Sequence, residues 1–157
     1  MKVVLMSVGK TDDTIFGQII DNYKNRLKHY IPFETEYIPD IKKGKNISEK
    51  EHKTLEGKNI LNRLQDSDHL VLLDDKGREF TSMKFSQYIE KKTHSVSKRI
   101  VFLIGGPYGF SEEIYTRANE KISLSKMTYT HQMVRMIFVE QLYRAMTILN
   151  NEPYHHE

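Results

Sequence analysis

The residues best suited to chemistry lie between Ile100 and the carboxyl terminus. Gly105-Gly106-Pro107-Tyr108-Gly109 follows directly on the uniformly apolar run Ile100 to Ile104. Two successive glycines at the end of a buried strand let backbone approach a ligand with no Cβ in the way, where open α/β sheets bind small molecules. Farther on, His131 and Arg135 are four residues apart, as are Glu140 and Arg144, so each pair shares a helix face. For Glu140 and Arg144 a helix salt bridge explains the spacing as well as function does. Pro153-Tyr154-His155-His156 forms the last cluster. Asp74-Asp75, after another apolar run, could hold magnesium or act as a base, but a charged turn is preferred because turns favour Asp and Gly.

Other chemistries are excluded by what is missing. Only Gly9 follows the first apolar run, so the dinucleotide fingerprint GxGxxG is absent, and Gly44-Lys45 lacks the spacing and hydroxyl residue of a phosphate loop. Lys42, Lys43 and Lys45 make a basic loop that reads as solvated, with phosphate contact as the sharper alternative. The chain has no cysteine, which removes disulfides, thiolate metal sites and the covalent thiol adduct used to methylate pyrimidines at carbon 5. A net charge of +3 permits RNA binding without arguing for it. With 157 residues, 38% of them hydrophobic and 29% charged, one soluble domain spanning 1–157 is expected. The apolar start, Val3 to Val8, is too short for a signal-peptide core or a membrane span, so a cytoplasmic protein is expected.

The elements that must position these residues alternate regularly. Strands are predicted at Val3 to Val8, Phe33 to Ile38, His69 to Leu73, Ile100 to Ile104, and briefly after Ile122. The first helix follows caps at Thr11 to Asp13 and turns Ile15, Ile19, Tyr23 and Leu27 inward. The second opens on the capping box Ser48/Glu51, with Leu55, Ile60, Leu61 and Leu64 inward, although Gly57 counts against it. A third runs from Ser82 to Lys92 around Phe85, Tyr88 and Ile89, and Ser111-Glu112-Glu113 opens a fourth. The last, Met133 to Leu149, is apolar at twelve of seventeen positions. Such alternation gives an α/β fold, a parallel-type sheet flanked by helices. A helix so apolar has more than one face to bury, and a homodimer through it is predicted.

Taken in order, LIGGPYG, SLSKMT, HQMVR, EQLYRA and a terminal PYH, with VGK, IPD, KGKN and LLDDKG upstream, resemble the small SPOUT-class methyltransferases over the whole chain. These are trefoil-knotted enzymes that modify large-subunit (23S) ribosomal RNA, and the likeness is strongest to the pseudouridine-N3 methyltransferase type. The resemblance implies a C-terminal trefoil knot in which the SLSKMT segment threads the loop after Ile104, with S-adenosylmethionine bound in the knot. It assigns the cofactor to Leu73, Gly105, Leu124, Ser125, Lys126, Met127, Thr128 and Tyr129, mostly through main chain. It makes the acceptor N3 of a pseudouridine, of the position-1915 kind in helix 69, on assembled ribosomes, with no metal and no membrane. An imide nitrogen must lose its proton as the methyl arrives, so His131, Arg135, Glu140 and, from the family-like tail, Tyr154 and His155 are the catalytic candidates; His131, Glu140 and His155 are the shortlist for a base, and none is assigned. The tail is then expected to fold over the pocket when substrate is present. Thr130 stands where relatives commonly carry proline, and threonine can cap the helix instead. The alternatives are a non-catalytic ribosome-associated factor that binds S-adenosylmethionine and, on an ordinary doubly wound sheet, a nucleotide-binding oxidoreductase, for which the missing fingerprint is the discriminating feature.

Overall fold

The structure is a computed structural model that describes residues 1–42 and 46–157; Lys43 and Lys45 of the basic loop lie outside the described residues. Ten elements alternate along the chain: β1 (Lys2–Val8), α1 (Thr14–Leu27), β2 (Phe33–Ile38), α2 (Glu49–Arg63), β3 (His69–Glu79), α3 (Ser82–Ser95), β4 (Arg99–Ile104), α4 (Glu112–Arg117), β5 (Glu120–Ser123) and α5 (His131–Leu149). The five strands form one sheet in the order β2-β1-β4-β3-β5, and every pairing is parallel.

Two-sided burial explains the unbroken apolar runs. Val3 and Leu5 of β1 pack with Ile100 and Phe102 of β4 beneath α1, α3 and α5. Val4, Met6 and Val8 face the opposite way, with Val101 and Leu103, toward Ile60 of α2 and Ile114 of α4. Alternate residues of each strand therefore serve two separate cores, and none can be polar without cost.

Side-chain caps set the helix starts. Asp13 accepts from the Ile15 amide at 2.8 Å, and the predicted box of Ser48 and Glu51 is complete, each side chain accepting from the other residue's backbone N–H at 3.1 Å. Thr130 caps α5 by accepting from the Met133 amide at 3.2 Å, which supplies without a proline what the helix entry needs.

Three expectations are corrected. Leu27 is buried as expected, but Ile15 is 65% exposed, and Ile20 is the other residue that α1 buries. A strict spacing of four drifts about 40° per step from the 3.6-residue repeat, so Ile15 has rotated away from Leu27's face. On α2, Leu55 is exposed because it lies about 140° around the helix from Ile60, and the inner face is His52, Glu56, Gly57 and Ile60. Nor does β3 stop at a turn. Leu73 and Arg78 both stand opposite Ile122 of β5, so Asp74 to Gly77 bow out as an insertion within a strand that continues to Glu79. Gly77 permits this, because a Cβ there would lie 2.6 Å from the Ile122 backbone.

The long apolar helix is also better covered than its composition suggests. α5 lies between α1 and α3 over the sheet. Phe138, Val139, Leu142, Ala145 and Met146 are buried, and Val134, Met136, Tyr143 and Leu149 pack against the same core. Only Met133, Ile137 and Ile148 of its twelve apolar residues are left half-exposed outside that core.

Candidate functional site

The carboxyl ends of three adjacent strands, β4, β3 and β5, enclose a cavity of about 380 Å³. β5 follows β4 in sequence but lies beyond β3, so the chain must return across both strand ends to reach α5. That return brings residues 124–129 opposite the glycine loop. The cavity has an apolar side made by Leu73, Ile104, Phe110, Leu124 and Val134. Its polar side carries Asp74, Asp75, Tyr115, Ser125 and His131.

Each strand end contributes in its own way. After β4, Gly105 passes so close to Phe110 that a Cβ would fall 2.9 Å from the ring. Gly109 takes a left-handed φ of +77°, which closes the turn before Ser111 caps α4. After β5, Ser123 donates to the Ser125 carbonyl at 2.8 Å, and Ser125 Oγ accepts from the Met127 amide at 2.9 Å. Two short hydroxyl side chains thus hold the loop's shape and leave other main-chain groups free to face a ligand. From β3, Asp74 accepts from the Tyr115 hydroxyl at 2.6 Å and from the Lys76 amide at 2.9 Å. Burial pushes the Asp74 carboxyl up, but these hydrogen bonds outweigh it and hold the group below its ordinary value. Partial desolvation and the Asp74 charge push the phenol of the exposed Tyr115 up to about 12. At neutral pH the cavity wall therefore presents an ionised aspartate and an un-ionised tyrosine.

The expected site residues divide by position. Leu73, Gly105, Leu124, Ser125, Met127, Thr128 and Tyr129 all line the cavity; Lys126 does not, and its side chain is exposed. His131 is on the wall, at the first turn of α5. Arg135 is not. It is 1% exposed, and it donates to the carbonyls of Gly9 at 2.9 Å and Val8 at 2.7 Å and to Thr11 Oγ1 at 3.3 Å. Burial lowers its pKa, the carbonyls of the first turn take its two amino groups, and its job is to pin that turn to α5.

Glu140, Tyr154 and His155 form a cluster elsewhere. Glu140 accepts from Arg144 at 2.6 Å and from the Tyr154 hydroxyl at 3.1 Å, and His155 Nδ1 is 3.2 Å from Arg144. Tyr154 also meets the Tyr23 hydroxyl at 3.2 Å and packs its ring 4.8 Å from Tyr143. Burial and the Tyr23 contact raise its pKa, so the phenol is a donor at neutral pH. The tail therefore lies along α1 and α5. Glu140 is nine residues beyond His131, about 13 Å along the helix axis, so the cluster does not cover the cavity of its own chain.

Sequence reasoning missed one participant. Glu56 of α2 is 3% exposed and accepts a hydrogen bond from the Gly106 amide at 3.0 Å, immediately behind the glycine loop. The signal was there: His52 and Glu56, four apart, fall on the face that also buries Ile60. Among the described residues no cluster of His, Asp or Glu could hold a metal ion, and no helix is long and apolar enough to cross a membrane.

Comparison with known proteins agrees with this geometry. A family model described as "Predicted SPOUT methyltransferase" matches residues 1–155. The chain is 66% identical over 157 residues to a Parabacteroides distasonis protein named Ribosomal RNA large subunit methyltransferase H, covering 100% of both chains. It is 57% identical over 156 residues to the protein of that name from Christiangramia forsetii, covering 99% of each. It is 53% identical over 157 residues to that from Porphyromonas gingivalis, covering 100% of each.

Proposed function

The chain belongs to the SPOUT methyltransferases, a family whose fold is a trefoil knot, and from that premise we propose how this enzyme of large-subunit ribosomal RNA carries out its reaction. The methyl donor is S-adenosylmethionine, bound between the glycine loop and residues 124–129. The acceptor is N3 of a pseudouridine in helix 69, presented on the assembled ribosome in the cytoplasm. Residues 1–157 act as one methyltransferase domain, paired with a second copy through α5.

The observation that carries this reading is the cavity itself. Seven of the eight positions that the resemblance assigns to the donor converge there from three separate strand ends. Its chemistry suits the donor as well. The apolar side accepts an adenine ring, the glycines admit close main-chain approach, and the Asp74 charge complements a cationic sulfonium. When bound, S-adenosylmethionine supplies an electrophilic methyl: the N3 lone pair forms the new N–C bond while the S–CH3 bond breaks to leave a neutral thioether.

The chain's own residues then position the two reactants and manage one proton. Of the shortlisted bases His131, Glu140 and His155, His131 is the one that lines the cavity, which supports giving it the N3 proton. The Tyr115-to-Asp74 hydrogen bond ties the β3 side of the wall to α4. Glu140, Tyr154 and His155 join the reaction only if the tail leaves its place on α5 or serves the second copy's cavity.

The test is calorimetric titration with S-adenosylmethionine, followed by methyl transfer to deproteinised RNA, isolated large subunits and whole ribosomes. Binding is expected with transfer to assembled particles only. Equal transfer to deproteinised RNA would overturn the ribosome as the substrate, and absence of binding would overturn the cavity as the donor site.

A further inference from the structure

On the side of the glycine loop away from the cavity, α2 presents three buried residues, His52, Glu56 and Gly57. The approach is close because residue 57 has no side chain: a Cβ there would meet Ser111 Oγ, the cap of α4. One residue earlier, Glu56 Oε1 takes the Gly106 amide at 3.0 Å. A Cβ on Gly106 would fall 2.8 Å from that same oxygen and 2.9 Å from the carboxyl carbon, so loop backbone and carboxylate are in direct contact. His52 stands one turn before Glu56, with Nδ1 3.9 Å from Oε2, and its ring meets Tyr108 of the glycine loop edge-on at 5.2 Å.

As a device for stability this is a poor choice. Burial raises the pKa of Glu56; the Gly106 hydrogen bond and His52 offset only part of that, and Asp40 adds to it. His52 Nδ1 is itself buried without a hydrogen-bond partner among the described residues. A buried acid whose one hydrogen bond among the described residues is to a backbone amide contributes less than an apolar residue filling the same space. What the carboxylate does supply is geometry, because the loop it holds lines the cavity with Gly105, Gly106, Pro107 and Gly109.

We propose that Glu56 is a positioning residue for the methyl donor: its carboxylate holds the Gly106 amide, and with it the turn from Gly105 to Gly109, in the conformation the donor requires. The proposal rests on the reading of the cavity as the S-adenosylmethionine site. Glu56 touches neither donor nor RNA and acts through the loop backbone. A loop already fixed in the free protein does not have to be ordered when the donor arrives, and affinity rises accordingly.

Three variants separate this role from simple packing. E56M and E56A remove the acceptor, the first with little change of volume, whereas E56Q keeps an acceptor oxygen and loses only the charge. Hydrogen exchange of the Gly106 amide, read by NMR in the free protein, is expected to accelerate at least tenfold in E56M and E56A. Their dissociation constants for S-adenosylmethionine, read by calorimetry, are expected to weaken at least tenfold, with E56Q within threefold of wild type in both measurements. Unchanged Gly106 protection or unchanged affinity in E56M and E56A overturns the proposal, and so does an E56Q as impaired as they are. If wild type binds no S-adenosylmethionine while E56M still frees the Gly106 amide, the hold on the loop stands and the donor assignment falls.

Discussion

Two buried charges that serve no ion pair of the usual kind define the residue scale. Arg135 donates to two backbone carbonyls, and its value lies in satisfying those of Val8 and Gly9. R135M fills much of the same space but orphans both carbonyls, and chemical denaturation is expected to show a loss of about 2–3 kcal/mol. R135K recovers only part of it, because an ammonium cannot span two divergent carbonyls as a planar guanidinium does. Glu56 makes the opposite prediction. Its folded-state pKa is raised by burial, so the fold disfavours the ionised form and loses stability as pH climbs above the ordinary glutamate range. E56Q is therefore expected to melt above wild type at pH 7 to 8, with the gap closing toward about pH 4, where both side chains are neutral. Thermal melts across that range check the sign. Neither role is assigned by the sequence reading. Arg135 shares a helix face with His131 by its spacing of four, which says nothing of what either touches, while Glu56 lies between Leu55 and Ile60 in a stripe whose true phase is one position on from Leu55.

At the scale of elements, the sequence carried the order of strands and helices and most of their caps, because periodicity and capping chemistry are local. It failed where a tertiary neighbour decides. Asp74-Asp75-Lys76-Gly77 has turn composition, yet the chain bows out and resumes its pairing with β5 because Ile122 is shared by Leu73 and Arg78. G77A is expected to cost about 1–3 kcal/mol, since the new methyl meets Ile122 backbone that no rotamer can move, and to weaken donor binding through the displaced Asp74 wall. Calorimetry and denaturation on the same preparation read both effects. The tail gives a contrasting case. Removing residues after Glu152 takes away Tyr154 and His155 but nothing that lines the cavity, so donor affinity is expected to persist while methyl transfer is lost. Unchanged turnover in the truncated enzyme would return the tail to a purely structural role on α1 and α5.

The arrangement of the whole molecule was the least legible. Hydrophobic periodicity says nothing of the order β2-β1-β4-β3-β5, and general folding rules argue against knots, so only the resemblance carried that expectation. The homodimer was argued from an apolar helix that one sheet could not cover; α1 and α3 cover most of it. What remains is the stripe Met133, Ile137 and Ile148, spaced to fall on one outward line of α5 together with Glu140 and Arg144. Because Ile137 is not packed in its own chain's core, I137D should fold normally and sediment as a monomer if that stripe is the contact. Wild type sedimenting as a monomer at micromolar concentration would remove the dimer altogether.

The crossing of β5 beyond β3 has a kinetic side. Residues 1–123 contain every strand of the sheet, yet the wall from Leu124 to Val134 exists only once the last segment has passed the ends of β3 and β4. Partners so far apart in sequence are brought together late, after the loop-closure cost has been met without any compensating contact. Refolding should thus proceed in two beats, with far-ultraviolet circular dichroism recovering before the ability to bind S-adenosylmethionine. During synthesis, too, the enzyme would acquire its ligand site only as the final stretch of chain clears the exit tunnel of the ribosome, a passage through the very class of RNA on which it acts.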